Sequence, residues 1–195
     1  MTHDPDLFCL DTMILTEAGE VRVQDLAMAD LVVTIRAEGP ASCRVAATGR
    51  RHIDLMRHPC PALASPVRIQ ADAFAPGMPS RDLRLSPHHA VYLDGHLFEA
   101  NALCNGITIF QEPAVQSVTY VQLVLETHDV LLAEGLPVGS SLGGSGNVVA
   151  LHPDLRRRGT AALCLNLVTA GQLLAETRRM LEYRAVRKAS KRSLF

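Results

Sequence analysis

A serine and a histidine three residues apart form the sharpest cluster of chemically useful side chains in the sequence. They are Ser86 and His89, which stand just before the apolar run 90–93. A hydroxyl can hydrogen-bond a peptide carbonyl or nitrogen, and an imidazole can donate a proton to a departing amide nitrogen. The two side chains could therefore act on one peptide bond. The spacing alone also fits an ordinary buried imidazole that is bonded to the backbone.

His128 is a further candidate, because it lies between two apolar runs and could converge on the same site. A metal site is the alternative use of the histidines, since imidazole and thiolate both bind Zn²⁺. The candidate ligands for such a site have no compact spacing, so we expect neither a metal nor a cofactor. These candidate ligands are His88, His89, His96, His128 and Cys60.

The five cysteines are odd in number and widely spaced, without a Cys-x-x-Cys pair. This pattern argues against a disulfide framework and against a finger-type zinc site. Most of these thiols are expected to be small buried hydrophobes in a reducing compartment. They are Cys9, Cys43, Cys60, Cys104 and Cys164.

The elements that must position these side chains are short strands. Runs rich in Val, Ile, Leu and Thr predict strands over 13–16, 20–23, 31–35, 44–47, 67–69, 90–93 and 107–110. The dipeptide Asp94-Gly95 predicts a two-residue hairpin directly after the Ser-His cluster. Short helical pieces are predicted near 23–26 and 98–103. Many short strands with closely spaced turns indicate an all-β fold.

Composition excludes several classes of protein. The 195 residues are 48% hydrophobic and carry a formal net charge of −1, which excludes extensive disorder. No apolar run is long enough for a membrane-spanning helix, and the start lacks a secretory signal. We expect a soluble, cytoplasmic protein, with export by an unconventional route left open.

The chain changes character after residue 140. Residues 141–150 are rich in Gly and Ser and predict a connector, and 151–195 form an extension with an amphipathic helix over about 169–187. Residues 176–195 carry seven Lys or Arg against two Glu. This helix is either an arm for an acidic partner or a solvated helix end whose cations complement the helix dipole. We do not expect nucleic-acid binding.

Three segments together resemble the Hint (Hedgehog/intein) superfamily, most closely its bacterial branch. They are LFCLDTMILTEAGEVRVQDLAMADLVVT, LSPHHAVYLDGHLFEANALCNG and VTYVQLVLETHDVLLAEGLPV, within a domain over 7–140. The first is similar to the family's opening block, the second to its Thr-x-x-His block, and the third to the block before its C-terminal boundary. The resemblance implies a pseudo-twofold horseshoe of short β-strands.

The same resemblance implies self-processing of the chain's own or a fused N-terminal polypeptide. In the family an N-terminal Cys attacks the peptide bond before it, and an N-to-S acyl shift gives a thioester. Cys9 is then the nucleophile, Ser86 polarises the scissile bond, His89 protonates the leaving nitrogen, and His128 is a second proton-transfer group. Protein splicing is not expected, because Asn147 is followed by Val148.

Two alignments of the opening block stay open. Without gaps, the nucleophile position falls on Leu7, which cannot attack a carbonyl and would make this a non-cleaving Hint fold used as a binding or structural module. Placing Cys9 there requires the deletion of two residues, although Cys9-Leu10 resembles an intein opening.

Overall fold

The computed structural model describes residues 6–36, 38–140 and 167–192. Within these ranges the chain forms strands and one long C-terminal helix, so the predicted all-β class with a helical appendage is confirmed. The strands and the helix are β1 Leu7–Cys9, β2 Met13–Thr16, β3 Gly19–Arg22, β4 Leu31–Arg36, β5 Gly39–Asp54, β6 Val67–Ile69, β7 Leu83–Leu85, β8 Ala90–Leu93, β9 His96–Glu99, β10 Ile109–Gln111, β11 Ser117–Leu125, β12 Val130–Ala133, β13 Leu136–Gly139, β14 Leu167–Val168 and α1 Gln172–Arg192.

The strands form one curled sheet in which almost every neighbouring pair is antiparallel. The order is β10-β6-β7-β1-β11-β5-β4-β2-β12-β13-β8-β9-β14, and β3, which lies outside this order, pairs with β2. The long strand β5 joins the two parts of this sheet, because residues 39–44 pair with β4 and residues 45–54 pair with β11. The register shifts once, between Val124 and Leu125, where a bulge lets the paired strands bend.

The predicted short elements are confirmed near their expected positions. The hairpin at Asp94-Gly95 has positive φ at both residues, 47° and 83°, as a two-residue turn of this kind needs. The short helical pieces are single 3-10 turns at Val23–Asp25 and Ala100–Leu103.

The structure extends β5 far beyond the predicted 44–47. Its second half contains Gly49, Arg50, Arg51 and His52, which have little tendency to form a strand on their own. Here the ladder with β11 on one edge holds the backbone extended, so tertiary pairing overrides local propensity. The predicted strands also omit β1, which lies in the segment MTHDPDLFCLD.

Alternation along β1 divides its side chains between two apolar clusters. Phe8 is fully buried in the main core, together with Leu85 and Val91. Leu7 and Cys9 point to the other face and pack in a smaller cluster. This alternation is the period-two pattern of a strand, and it decides which side chains of β1 can reach the Ser-His cluster.

The C-terminal helix α1 packs against the sheet. Its prediction over about 169–187 is confirmed, with an observed start at Gln172 and end at Arg192. Leu181 and Ala185 are buried, and Leu181 belongs to the main core. The helix is also attached by Arg178, which donates to the carbonyl of Cys104, at 3.3 Å. The predicted connector, Asn147 and Cys164 lie outside the described residues.

No helix among the described residues is long and apolar enough to span a membrane.

Candidate functional site

Ser86 and His89 converge on the backbone of Leu7. The amide of Leu7 donates to Ser86 Oγ at 3.2 Å, and the amide of Ser86 donates to the Leu7 carbonyl at 2.9 Å. The same carbonyl lies 3.1 Å from His89 Nδ1. Two predicted site residues that are far from Leu7 in sequence therefore contact both the amide and the carbonyl of this residue of β1.

The local fold explains this convergence. Strand β7 pairs with β1 through Leu85 and Phe8, so the residue that follows β7 must lie beside Leu7. The chain then turns at Pro87-His88, where the amide of His89 donates to the Ser86 carbonyl at 3.1 Å, and enters β8. The turn places the hydroxyl and the imidazole on the same side of β1.

The imidazole of His89 is completely buried. The ring of Phe8 packs against it edge-on, with 4.5 Å between ring centroids. Burial lowers the pKa of His89, whereas the carboxyl group of Asp6 and the backbone carbonyls of Leu7 and Gly139 act in the opposite direction. A carbonyl can only accept, so a proton carried on Nδ1 would be donated to the Leu7 oxygen. Nε2 is buried and forms no hydrogen bond of ordinary geometry.

Asp6 brings a carboxyl group to the same place. One of its oxygens, Oδ1, accepts a hydrogen bond from the amide of Ala90 at 2.7 Å. Burial raises the pKa of Asp6, and His89 is the largest influence that opposes this rise, followed by the Ala90 amide and His128. The carboxyl group is therefore within electrostatic reach of both imidazoles.

His128 precedes β12 and lies next to Gly139, the last residue of β13. A Cβ atom added at Gly139 would lie 3.9 Å from Cε1 of His128 and 3.2 Å from the Cβ of Ala90. Glycine thus leaves the room that the imidazole and β8 occupy. Nδ1 of His128 is buried and, like Nε2 of His89, forms no hydrogen bond of ordinary geometry.

Cys9 is placed differently from the other three predicted site residues. Its side chain is 2% exposed and packs with Leu7 and Tyr120 on the face of β1 opposite Phe8, whose ring contacts His89. Burial raises the pKa of the Cys9 thiol to about 12, against the opposing charge of Arg84. The structure thus gathers Ser86, His89 and His128 around Asp6 and Leu7, and leaves the Cys9 thiol outside that group.

Sequence reasoning missed Asp6 and Gly139 as parts of the site. The available signal for Asp6 was its position directly before Leu7, where the gapless alignment places the family's nucleophile. Gly139 had no comparable signal, because its proximity to Ala90 depends on the pairing of β13 with β8.

The histidines considered for metal binding have other neighbours. His88 Nδ1 lies 3.1 Å from a carboxylate oxygen of Glu99, and His96 Nδ1 lies 2.9 Å from the Asp94 carbonyl. In the described part of the chain, no group of three or more His, Cys, Asp or Glu side chains has an arrangement that could hold a metal ion.

The curled β-sheet has an intein-like fold. The bacterial intein-like domain from Clostridium thermocellum has a similar structure, with a TM-score of 0.54 and 18% identity over 69% of this chain and 98% of that one. A DnaB intein from Synechocystis sp. PCC 6803 is similar with a TM-score of 0.50 and 11% identity, over 70% of this chain and 99% of that one. At these identities the likeness concerns the fold.

The family assignment comes from the sequence. The profile of the Hint domain matches residues 7–145, so this chain belongs to the Hint domain family. The resemblance drawn from the three segments is confirmed. No curated protein matches the chain.

Proposed function

We propose that this chain is a self-processing Hint domain that acts on the polypeptide in front of its first strand, at the peptide bond between Asp6 and Leu7. The observation that carries the proposal is that Ser86 Oγ accepts a hydrogen bond from the amide of Leu7, while His89 Nδ1 lies against the carbonyl of the same residue. The nitrogen of the Asp6–Leu7 bond is the atom that must leave when this bond breaks, and it already lies against a hydroxyl group.

The two side chains fit the needs of amide cleavage. A departing amide nitrogen must gain a proton, and an amine leaves far more readily than an amide anion. As that nitrogen becomes tetrahedral, Ser86 Oγ can reverse its role from acceptor to donor. His89 holds the Leu7 carbonyl and supplies a second titratable group within the same buried centre.

The position of Cys9 separates this proposal from a cysteine-dependent acyl shift. A shift onto Cys9 would break the bond between Phe8 and Cys9, and its thiol lies on the face of β1 away from His89. Cleavage by that route stays a prediction. Its N-terminal fragment would end at Phe8, two residues beyond the fragment that ends at Asp6.

A fusion protein tests the site of cleavage. A folded reporter is joined in front of residue 1 of the 195-residue chain, and the fragments are identified by intact mass after incubation. We expect a new fragment that begins at Leu7, and slower formation of it in Ser86→Ala and His89→Gln. His96→Gln serves as the matched control, because His96 follows the Asp94-Gly95 turn and its Nδ1 lies 2.9 Å from the Asp94 carbonyl.

Two outcomes would contradict the proposal. Fragments that begin at Cys9 and disappear in Cys9→Ala would establish the cysteine-dependent route. An intact, folded fusion under all conditions would favour the second candidate, a non-cleaving Hint domain that serves as a binding or structural module. The observation behind that candidate is that Leu7, which has no nucleophilic group, occupies the centre that Ser86 and His89 form.

A further inference from the structure

The residue in front of Leu7 carries a carboxyl group into the centre. We propose that this carboxyl group, that of Asp6, is the nucleophile for cleavage of the Asp6–Leu7 bond and attacks the main-chain carbonyl carbon of its own residue. The inference rests on the proposed function and names the group that takes the place of the family's thiol.

The chain is held on both sides of the bond to be broken. On the Asp6 side, the amide of Ala90 binds Oδ1 at 2.7 Å. On the Leu7 side, Ser86 Oγ binds the amide at 3.2 Å, and the carbonyl is bound by the amide of Ser86 at 2.9 Å and faces His89 Nδ1 at 3.1 Å. These contacts fix the Asp6 carboxyl group on one side of the bond and the main chain of Leu7 on the other.

Ring size favours the attack. A bond between a carboxyl oxygen of Asp6 and its own carbonyl carbon closes a five-membered cyclic anhydride. Well-oriented intramolecular reactions of this kind reach effective molarities of about 10⁵ M or more. A carboxylate is a weak nucleophile in water, so proximity of this order is what it needs to cleave an amide.

The atoms balance without any further reactant in the first step. An oxygen–carbon bond forms as the carboxyl oxygen attacks, and the carbon–nitrogen bond to Leu7 breaks. The proton of the carboxyl group passes through the hydroxyl of Ser86 to the leaving nitrogen, which departs as a neutral amine. Water then opens the anhydride, which restores the side-chain carboxyl of Asp6 and leaves a free α-carboxyl group on it.

The surroundings favour a carboxyl group that still holds its proton. Burial raises the pKa of Asp6, so the group carries the proton that the leaving nitrogen requires at a higher pH than an exposed aspartate would. The titratable groups that act on it are His89, from the turn before β8, and His128, from the loop before β12. A protonated His89 favours the ionised carboxylate, so its charge opposes the effect of burial on the pKa of Asp6.

Hydroxylamine provides a test that requires no substitution. It opens an anhydride to a hydroxamate, so the reporter fragment released from the unaltered fusion should carry a hydroxamate on Asp6, located by fragmentation mass spectrometry. A thioester at Cys9 would instead give a hydroxamate on Phe8. Cleavage at Asp6–Leu7 that proceeds in hydroxylamine without a hydroxamate on Asp6 would overturn the inference.

Variants give the second test. We expect Asp6→Ala to abolish cleavage and Asp6→Glu to slow it about tenfold or more, because the glutamate must close a six-membered ring with one more free rotation. Asp25→Ala is the matched control, since the Asp25 carboxylate pairs with Arg22 at an exposed position. Circular dichroism and thermal melting confirm that each variant is folded.

The two levels of the proposal fail in different ways. Cleavage at Asp6–Leu7 that persists in folded Asp6→Ala removes the carboxyl nucleophile and leaves the proposed function in place. The unaltered fusion is incubated at several pH values from about 4 to 9, a range that includes the ordinary pKa values of Asp and His. If this bond stays intact throughout, both the carboxyl nucleophile and the proposed function are wrong.

Discussion

The buried Cys9 thiol should react far more slowly with alkylating reagents than the exposed thiol of Cys60. Burial raises the pKa of Cys9 from an ordinary value of 9.0 to about 12, and its side chain is 2% exposed. The thiolate is the form that reacts with alkylating reagents, so its fraction sets the rate. At pH 8 that fraction is about one-tenth for an ordinary thiol and about one in ten thousand for Cys9.

Alkylation of the native protein measures this difference. Iodoacetamide is applied in timed pulses at pH 8, and each cysteine is quantified by peptide mapping. We expect Cys9 to react at least about 1000-fold more slowly than the exposed Cys60, because a low thiolate fraction and restricted access act together. In strong denaturant the two thiols should react at similar rates, which provides the internal control.

A single result would refute the reasoning. If Cys9 is alkylated in the folded protein at a rate comparable to that of Cys60, the thiol is accessible and ionisable. Its assignment to a buried apolar cluster would then be wrong, and Cys9 would regain its place as the nucleophile expected from the sequence.

Three further substitutions test how the site and helix are held. Ser86→Ala should lower the free energy of unfolding by about 1–3 kcal/mol in urea titrations, because a buried backbone amide loses its acceptor; Ser86→Thr should restore most of it. Gly139→Ala should cost about 1–3 kcal/mol, since its Cβ would lie 3.2 Å from a neighbouring Cβ, whereas Gly49→Ala meets only ordinary contact at 3.9 Å. Leu181→Ala should destabilise the whole domain by about 2–5 kcal/mol, whereas Val186→Ala, 54% exposed, should have little effect. Equal effects within either matched pair would contradict the packing described.

Short-range patterns accounted for most of the strands and for part of the site. The Asp94-Gly95 turn and the apolar runs of β2, β4, β6 and β8 are local signals, and each is confirmed. The spacing of Ser86 and His89 marked both as candidates, the family resemblance implied their roles, and the structure places both at Leu7. These predictions succeeded because neighbouring residues carry the information for a turn or a short strand.

Long-range pairing explains what the sequence did not reveal. The second half of β5 is extended because β11 pairs with it, and no local pattern announces that partner. The orientation of Cys9 depends on the register of β1 against β11 and β7, since a shift of one residue would exchange the faces of Phe8 and Cys9. A thiol near the amino end was visible in the sequence, but the face on which it lies was not.

The pairing of β1 has a consequence for the timing of any reaction. Its partners include β11, whose residues are synthesised more than one hundred positions later, and Gly139 belongs to the same centre. On a ribosome, the first strand therefore emerges long before the strands that enclose it. The proposed chemistry at Asp6 would have to wait until the chain through β13 has left the exit tunnel, so an attached upstream domain would have time to fold before it could be released.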